Sequence, residues 1–395
     1  MRLFSRVCIA TLAALSLSAT TYALSPSLSL SLIGEQRFAP GTVVDGTTLG
    51  GLSGIAYVGG SQYYAVSDDR SQTNPARFYT LGIDLSDGQL NNGDVTFAES
   101  TTLTAGGNPF PVFSTDFEDI VLDPLNAGRA YIASEGDRNR GFQPFISSFD
   151  LATGERQASL PIRSRYLVNG LGADTGIRNN LAFETLTVTP DGTTLITATE
   201  SALLQDGGIA TLSSSANARI LTYNLAAQTA GAEFVYSVNP IPVGSNPPGG
   251  AADNGLVDML ALGGGRFLAM ERAFALGVGN TVRLFEVDTA GATDVSGIDD
   301  LDAFAGTIIP VQKTLLLDLG SLGVIPDNIE GMTFGPTFAD GARALILVSD
   351  DNFNPTQVTQ FVALRAVTVP EAGAGTLIIP GLLTFAGTLA LRRRK

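Results

Sequence analysis

The chain has 395 residues, 44% of them hydrophobic and 15% charged, with 23 Lys+Arg against 38 Asp+Glu and a net charge of −15. That balance argues against a nucleic-acid partner, because nothing basic would replace the counterions on phosphates. It contains no histidine, which removes Ser-His-Asp triads, histidine phosphatases and His-ligated zinc, and its one cysteine, Cys8, lies in an N-terminal leader, which leaves the body no disulfide, thiol nucleophile or iron–sulfur cluster.

Met1–Ala23 reads as a secretory signal peptide, with Arg2 and Arg6 as the positive region, Val7–Leu17 as the apolar region and Thr21-Tyr22-Ala23 offering a cleavage site. Leu28–Phe38 is a strand without a local partner. Five strand–turn–strand units follow. The clearest is Phe183–Ser201, where Leu186 and Val188 alternate with Thr185, Thr187 and Thr189 before a Pro190-Asp191-Gly192 turn. The others open at Gly51–Tyr57, Phe117–Leu122, Leu256–Ala261 and Ile329–Phe334. Each pair is followed by a third strand (Arg77–Asp84, Pro144–Asp150, Arg219–Asn224, Thr281–Asp288, Thr359–Val367). A fourth is expected in most units, for instance Arg156–Ile162, Glu233–Val238 and Lys313–Leu319. Asp87, Asp191 and Thr153 read as turn residues.

Four-stranded antiparallel units in series predict an all-β protein, a β-propeller of five visible repeats over residues 24–366. The last unit lacks a fourth strand, and Leu28–Phe38 is placed to supply it and close the ring. The units open about 65–75 residues apart, so long loops such as Asn239–Gly255 or a sixth, degenerate blade must absorb the surplus. The rival architecture is an open β-solenoid. After the repeats, Ala372–Leu391 is an uncharged stretch long enough to span a bilayer as a helix, followed by Arg392-Arg393-Arg394-Lys395. With Val369-Pro370-Glu371 before it, residues 367–395 resemble a bacterial PEP-CTERM sorting tail, although Ala372 stands where a second proline belongs. The resemblance implies export and retention or release at the cell surface. Without leader and tail the body keeps 17 basic against 37 acidic residues.

In a propeller the first strand of each blade lines the axis, so equivalent positions converge. Ser53, Glu118, Glu184, Asp258 and Glu330 form one aligned set at the start of strand one, and Asp68, Glu135, Glu200, Glu271 and Asp350 form another at the end of strand two. Because the two strands are antiparallel, both sets are expected at one mouth. Unpaired carboxylates there would repel by on the order of 3 kcal/mol per contact at ~5 Å and an effective dielectric of ~20. Arg70, Arg138 and Arg272 follow the second set closely and answer part of this. Bound cations would answer the rest: Ca2+, with Mg2+ and Mn2+ as alternatives, since only oxygen ligands exist, and no zinc, haem or nucleotide. The bland alternative is that these acids serve turns and inter-blade bonds.

The stretches Gly51-Leu52-Ser53-Gly54-Ile55, Ser67-Asp68-Asp69-Arg70, Phe117-Glu118-Asp119-Ile120, Phe183-Glu184-Thr185-Leu186, Met270-Glu271-Arg272, Ile329-Glu330-Gly331-Met332 and Val348-Ser349-Asp350-Asp351-Asn352 resemble the bacterial phytase-like family, "esterase-like activity of phytase". The resemblance implies a propeller, an extracytoplasmic location and phosphoester or ester hydrolysis. Unit three carries no arginine near Glu200. Two functions compete. One is a metal-assisted hydrolase of a small phosphorylated or ester substrate, with Glu118, Glu184, Glu330, Arg70, Arg138 and Arg272 as its working residues. The other is a non-catalytic surface propeller that binds polysaccharide. A serine esterase on Ser53 or Ser67 would lack both a histidine and a Gly-x-Ser-x-Gly elbow. A monomer is expected, held to the membrane through its C-terminal helix.

Overall fold

Alternate residues of most blade strands are buried, but so are the residues between them. In Arg343–Asp350 the run Ala344-Leu345-Ile346-Leu347-Val348 is wholly inaccessible. Such a strand lies inside a stack of sheets, each of its faces feeding a different core. The computed structural model, which describes residues 27–369, shows that stack to be a five-bladed β-propeller of four-stranded antiparallel sheets.

Blade I consists of Leu52–Gly59, Gln62–Ser67, Arg77–Ile83 and Val95–Thr102, and blade II of Phe117–Leu122, Arg129–Ser134, Phe145–Asp150 and Arg156–Ser159. Blade III is Phe183–Val188, Thr194–Thr199, Ala216–Asn224 and Thr229–Val238; blade IV is Ala252–Gly263, Arg266–Ala275, Gly279–Asp288 and Gln312–Asp318. Blade V runs Asn328–Thr337, Arg343–Asp350 and Thr359–Val369, and its outermost strand is Ser27–Phe38 from the other end of the body. The expected closure by the N-terminal strand is therefore what the fold uses. No sixth blade exists among the described residues; the surplus length lies in loops, two short hairpins and single 3-10 turns. The sorting tail and its apolar span, like the leader, lie outside the described residues. Among those described, no helix is long and apolar enough to cross a membrane.

The innermost strand of each blade packs beside the next, and Asn328–Thr337 packs beside Leu52–Gly59 to complete the circle. Five apolar clusters fill the five gaps. Phe78 and Val66 meet Phe117 and Ile132 between blades I and II. Tyr131 and Ile146 meet Phe183 and Leu195 between II and III. Ile196 and Tyr236 meet Met259 and Phe285 between III and IV, Leu268 and Leu284 meet Leu345 and Val362 between IV and V, and Ile346 and Phe361 meet Ile55 and Tyr63 between V and I. In blade V, Leu345 and Leu347 serve one gap while Ala344, Ile346 and Val348 serve the other, which is why the run carries no polar alternation.

The closing strand is tied to both neighbours. Leu28 and Leu30 pack into the IV/V cluster and Ile33 into the V/I cluster. Beyond its own sheet, the Leu90 N–H donates to the Ile33 carbonyl at 2.8 Å. Gly34, at φ +136°, makes this approach feasible, because a Cβ there would lie 2.0 Å from the Leu90 carbonyl oxygen. Gly34→Val is expected to lower stability by about 1–3 kcal/mol, read as an earlier urea midpoint. An unchanged midpoint would show that this latch contributes nothing.

Candidate functional site

Every innermost strand opens on a break in register. Leu52 pairs with Ser67 and Gly54 with Val66, which leaves Ser53 unpaired. The same skip leaves out Glu184 between Phe183 and Thr185, Val257 between Leu256 and Asp258, and Glu330 between Ile329 and Gly331. In blade II it leaves out Glu118 and Asp119. A bulge re-aims the extra side chain, and here it turns Glu118, Glu184 and Glu330 into one cavity at the mouth of the propeller, of about 1030 Å3. From the ends of the second strands, Asp68, Glu200 and Asp350 enter the same cavity, and Glu135 lies against Asp116 and Glu118.

Blade IV departs from the sequence-based alignment by one residue, and at period two a one-residue slip exchanges the faces of a strand. Val257, not Asp258, holds the bulge position, and it is buried in the IV/V core. Asp258 stands one step further along, level with Asp119 of blade II. Both are rivets between blades rather than members of the ring. The Asp119 carboxylate accepts the N–H groups of Ile120, at 2.7 Å, and of Leu186 in blade III. That of Asp258 accepts those of Met259, at 2.6 Å, and of Met332 in blade V, at 2.5 Å. Glu271 pairs with Leu256 and so matches Ser67, Ser134, Thr199 and Ser349. It faces the III/IV gap, where it accepts from Tyr236 Oη at 3.0 Å, from Asn254 Nδ2 at 3.0 Å and from Lys313. The residue at the mouth in blade IV is Arg272. Arg138 also leaves the site: its guanidinium donates to the carbonyls of Thr175, Ile177 and Ala173 and pins the loop before blade III.

The two remaining arginines bridge blades. Arg70 reaches Asp116 and Asn180 and approaches Asp137 at 3.8 Å. Arg272 contacts Glu330 at 2.9 Å, Asp253 at 3.0 Å and Glu200 at 3.6 Å. Asp116, Glu118 and Glu135 each place a carboxylate oxygen within 4.8 Å of the others, an arrangement able to hold a cation. Two buried carboxylate oxygens, Asp68 Oδ1 and Glu135 Oε2, have no hydrogen-bond partner among the described residues. A hard cation fits such donors, since carboxylates are the ligands it takes. Ser53 and Ser67 spend their hydroxyls on the carbonyls of Gly51 and Gly50.

Asp116, Asn180, Asp253 and Asn328 belong to the site but not to the sequence-based set. Asp116 immediately precedes its strand, at a position filled by Gly51, Ala182, Gly255 and Asn328 in the other blades, so no repeated acid marks it. The second acid of each Asp-Asp pair organises its loop instead. Asp69 accepts the N–H groups of Gln72, Thr73 and Asn74 and pairs with Arg77 at 2.8 Å. Asp351 accepts those of Gly51, at 3.2 Å, and Phe353, at 3.0 Å.

The family described as "Phytase-like: Esterase-like activity of phytase" matches residues 47–353, from the approach to blade I through the last site loop. The chain belongs to the phytase-like family. No curated protein matches it. Among solved structures, an endo-arabinase from Bacteroides thetaiotaomicron VPI-5482 is 12% identical over 85% of this chain and 98% of its own, at a TM-score of 0.44. A PQQ-bound aldose sugar dehydrogenase from Streptomyces coelicolor is 11% identical over 87% and 100%, at 0.40. The periplasmic gluconolactonase of Pseudomonas aeruginosa is 12% identical over 87% and 100%, at 0.36. Likenesses of this size bear on no activity.

Burial drives the phytase-like site's carboxyls toward their neutral forms. It raises Glu118 well above the ordinary carboxylate range, with Asp116 and Glu135 adding to the effect. It does the same to Asp68, helped by Asp350 and Asp116, and to Glu184, helped by Glu118 and Glu135. Glu200 is pushed up to about 8 by burial, against the opposing pull of Arg272. A carboxyl raised in the native state binds more protons there than in the unfolded chain. Without a cation, stability should therefore fall as pH rises from about 4.3, the unfolded carboxylate value, through the raised native values, about 8 for Glu200. In EDTA the thermal midpoint is expected to be higher at pH 5 than at pH 8. Calcium at about 100 times its dissociation constant should recover about 2.7 kcal/mol at pH 8 and much less at pH 5. A midpoint indifferent to both pH and calcium would show that the mouth carries no such repulsion.

The rivets make a separate prediction. Met259 bonds one carboxylate oxygen of Asp258 and Met332 the other, so Asp258→Asn keeps an acceptor for only one and turns an NH2 toward the second, while Asp258→Ala strands both buried N–H groups. Both variants should lose about 1.5–3 kcal/mol of stability, measured by urea unfolding, and an unchanged midpoint in either would show that the rivet contributes nothing.

Proposed function

We propose that the chain is a cation-assisted phosphoester hydrolase, exported and acting at the mouth of the propeller. The reading is carried by the three converging carboxylates Asp116, Glu118 and Glu135, flanked by buried oxygens without protein partners and by the guanidiniums of Arg70 and Arg272. Asp68, Asp116, Glu118 and Glu135 would hold Ca2+ or Mg2+, with Asp350 beside them. When bound, the cation supplies Lewis acidity, polarising a phosphoryl oxygen and acidifying a water. Arg70 and Arg272, fixed in blades I and IV, orient the non-bridging oxygens by paired N–H donors. Water oxygen bonds to phosphorus as the ester P–O bond breaks. Glu184, whose burial beside Glu118 and Glu135 favours its neutral form, would give a proton to the leaving alkoxide. Glu330, hydrogen-bonded to Arg272, takes the proton that the water releases.

Export rests on the leader and the PEP-CTERM-like tail, and the same tail would hold the protein to the membrane or the cell surface. A second reading has its own support. Both guanidiniums already contact carboxylates, so a phosphate must displace them. A cation-binding, non-catalytic propeller that holds surface polysaccharide needs no such displacement.

The test is turnover of p-nitrophenyl phosphate and p-nitrophenyl acetate by the purified protein, with calcium, magnesium or EDTA. Metal-dependent phosphate release is expected, abolished by EDTA, with Glu184→Gln lowering kcat by on the order of 100-fold or more. No turnover with any metal, in a protein that still unfolds cooperatively, would overturn the hydrolase and leave the binding propeller.

A further inference from the structure

Beside the mouth lies a second, smaller cavity of about 350 Å3, lined by Pro40, Thr48, Leu49, Thr73, Phe353 and Pro355 among others. Its walls are mainly apolar, with Asp351 the one charged residue among them. Thr73 and Phe353 line both cavities, so the Phe353 ring stands on the partition between them.

That ring is held at unusual conformational expense. Asn352 and Phe353 both adopt φ +50°, a left-handed conformation that bulky side chains avoid. Three interactions keep them there. The Asn352 N–H donates to Asp350 and the Phe353 N–H to Asp351. The guanidinium of fully buried Arg77, itself locked on Asp69, lies 5.7 Å from the ring centre. Across from it, Gly51 at φ +66° offers no side chain, and a Cβ there would come within 2.9 Å of the ring. Strain of this kind persists where the surroundings over-determine it, and it gathers at binding sites. Here its product is a half-buried aromatic side chain at the rim of an anionic cavity.

The charge balance of the mouth narrows what can approach. Its carboxylates outnumber its three guanidiniums, those of Arg37, Arg70 and Arg272, and a bound cation or two would leave little positive charge to spare. A polyphosphorylated polyol would bring more anionic groups than the site can neutralise, whereas a single phosphoryl group would not.

We infer that the small cavity is a leaving-group subsite, with Phe353 as its platform, and that the substrate class is a monophosphate ester of an aromatic or similarly flat, weakly polar alcohol. This rests on the phosphoester reading for its chemistry, but not for its binding geometry. The probes are phenylphosphonate and methylphosphonate, titrated calorimetrically into the full chain with calcium present. Phenylphosphonate should bind about 10-fold tighter. Phe353→Ala should remove that difference while leaving methylphosphonate within about twofold of the parent. Since Phe353 sits in a strained turn, Pro40→Asp provides a second variant: it places a charge on the exposed wall of the same cavity and should also abolish the preference. Equal binding of the two phosphonates, no binding of either, or a preference that survives both substitutions would overturn the subsite. Hydrolysis of aryl and glycerol phosphates with equal kcat/KM would overturn it too, and would leave the hydrolase standing. A phenylphosphonate preference without turnover of any ester would keep the subsite and overturn the hydrolase.

Discussion

Like charges forced together at an axis are what the rest of this molecule must accommodate. Ring closure brings the starts of five inner strands to one opening, and the bulge at each start sets the direction of one side chain. In three blades that side chain is a glutamate, and the neighbouring strand adds a second acid in four. The fold answers the repulsion in three ways: two arginines that bridge adjacent blades, carboxyls driven toward their neutral forms, and oxygens left open to a cation. The same positions that make the mouth costly in isolation make it a receptor for positive charge.

Acids one residue away from the ring do a different task. Asp119 and Asp258 turn from the mouth to the backbone of the next blade, and Asp69 and Asp351 fold their own loops. Side-chain direction, rather than acidity, separates site from scaffold. Alternating faces and a bulge decide that direction, so a shift of one position moves a carboxylate from cation ligand to structural staple. Glu271 shows the extreme case: its carboxyl is fully buried between blades, bonded to Tyr236, Asn254 and Lys313.

Much of this architecture was legible in the residues. Turn chemistry such as Pro190-Asp191-Gly192 marks hairpins, and Leu28–Phe38, a strand without a local partner, announces the closure. Blade IV was misaligned because Val257-Asp258 and Glu271-Arg272 each place an acid beside the true position, and a bulge leaves no trace in composition. Asp116 escaped notice because its position is acidic in one blade alone. Arg138 follows Glu135 as Arg70 follows Asp68, but Gly136 and a 3-10 turn carry its side chain off toward the Thr175 loop. The two-cavity mouth was invisible for a further reason: Pro40, Leu49 and Phe353 come together only when the last blade meets the first.

That meeting has a temporal side. The outer strand of blade V is made first and its partner, Thr359–Val369, last, more than 300 residues later. Until the final strand emerges, Ser27–Phe38 has no sheet to join, and the two gaps that flank blade V stay incompletely filled. Non-local pairing of this kind is slow to form. A nascent chain therefore stays unlocked for the whole of its synthesis, the condition in which a polypeptide can still be threaded through a narrow translocation channel.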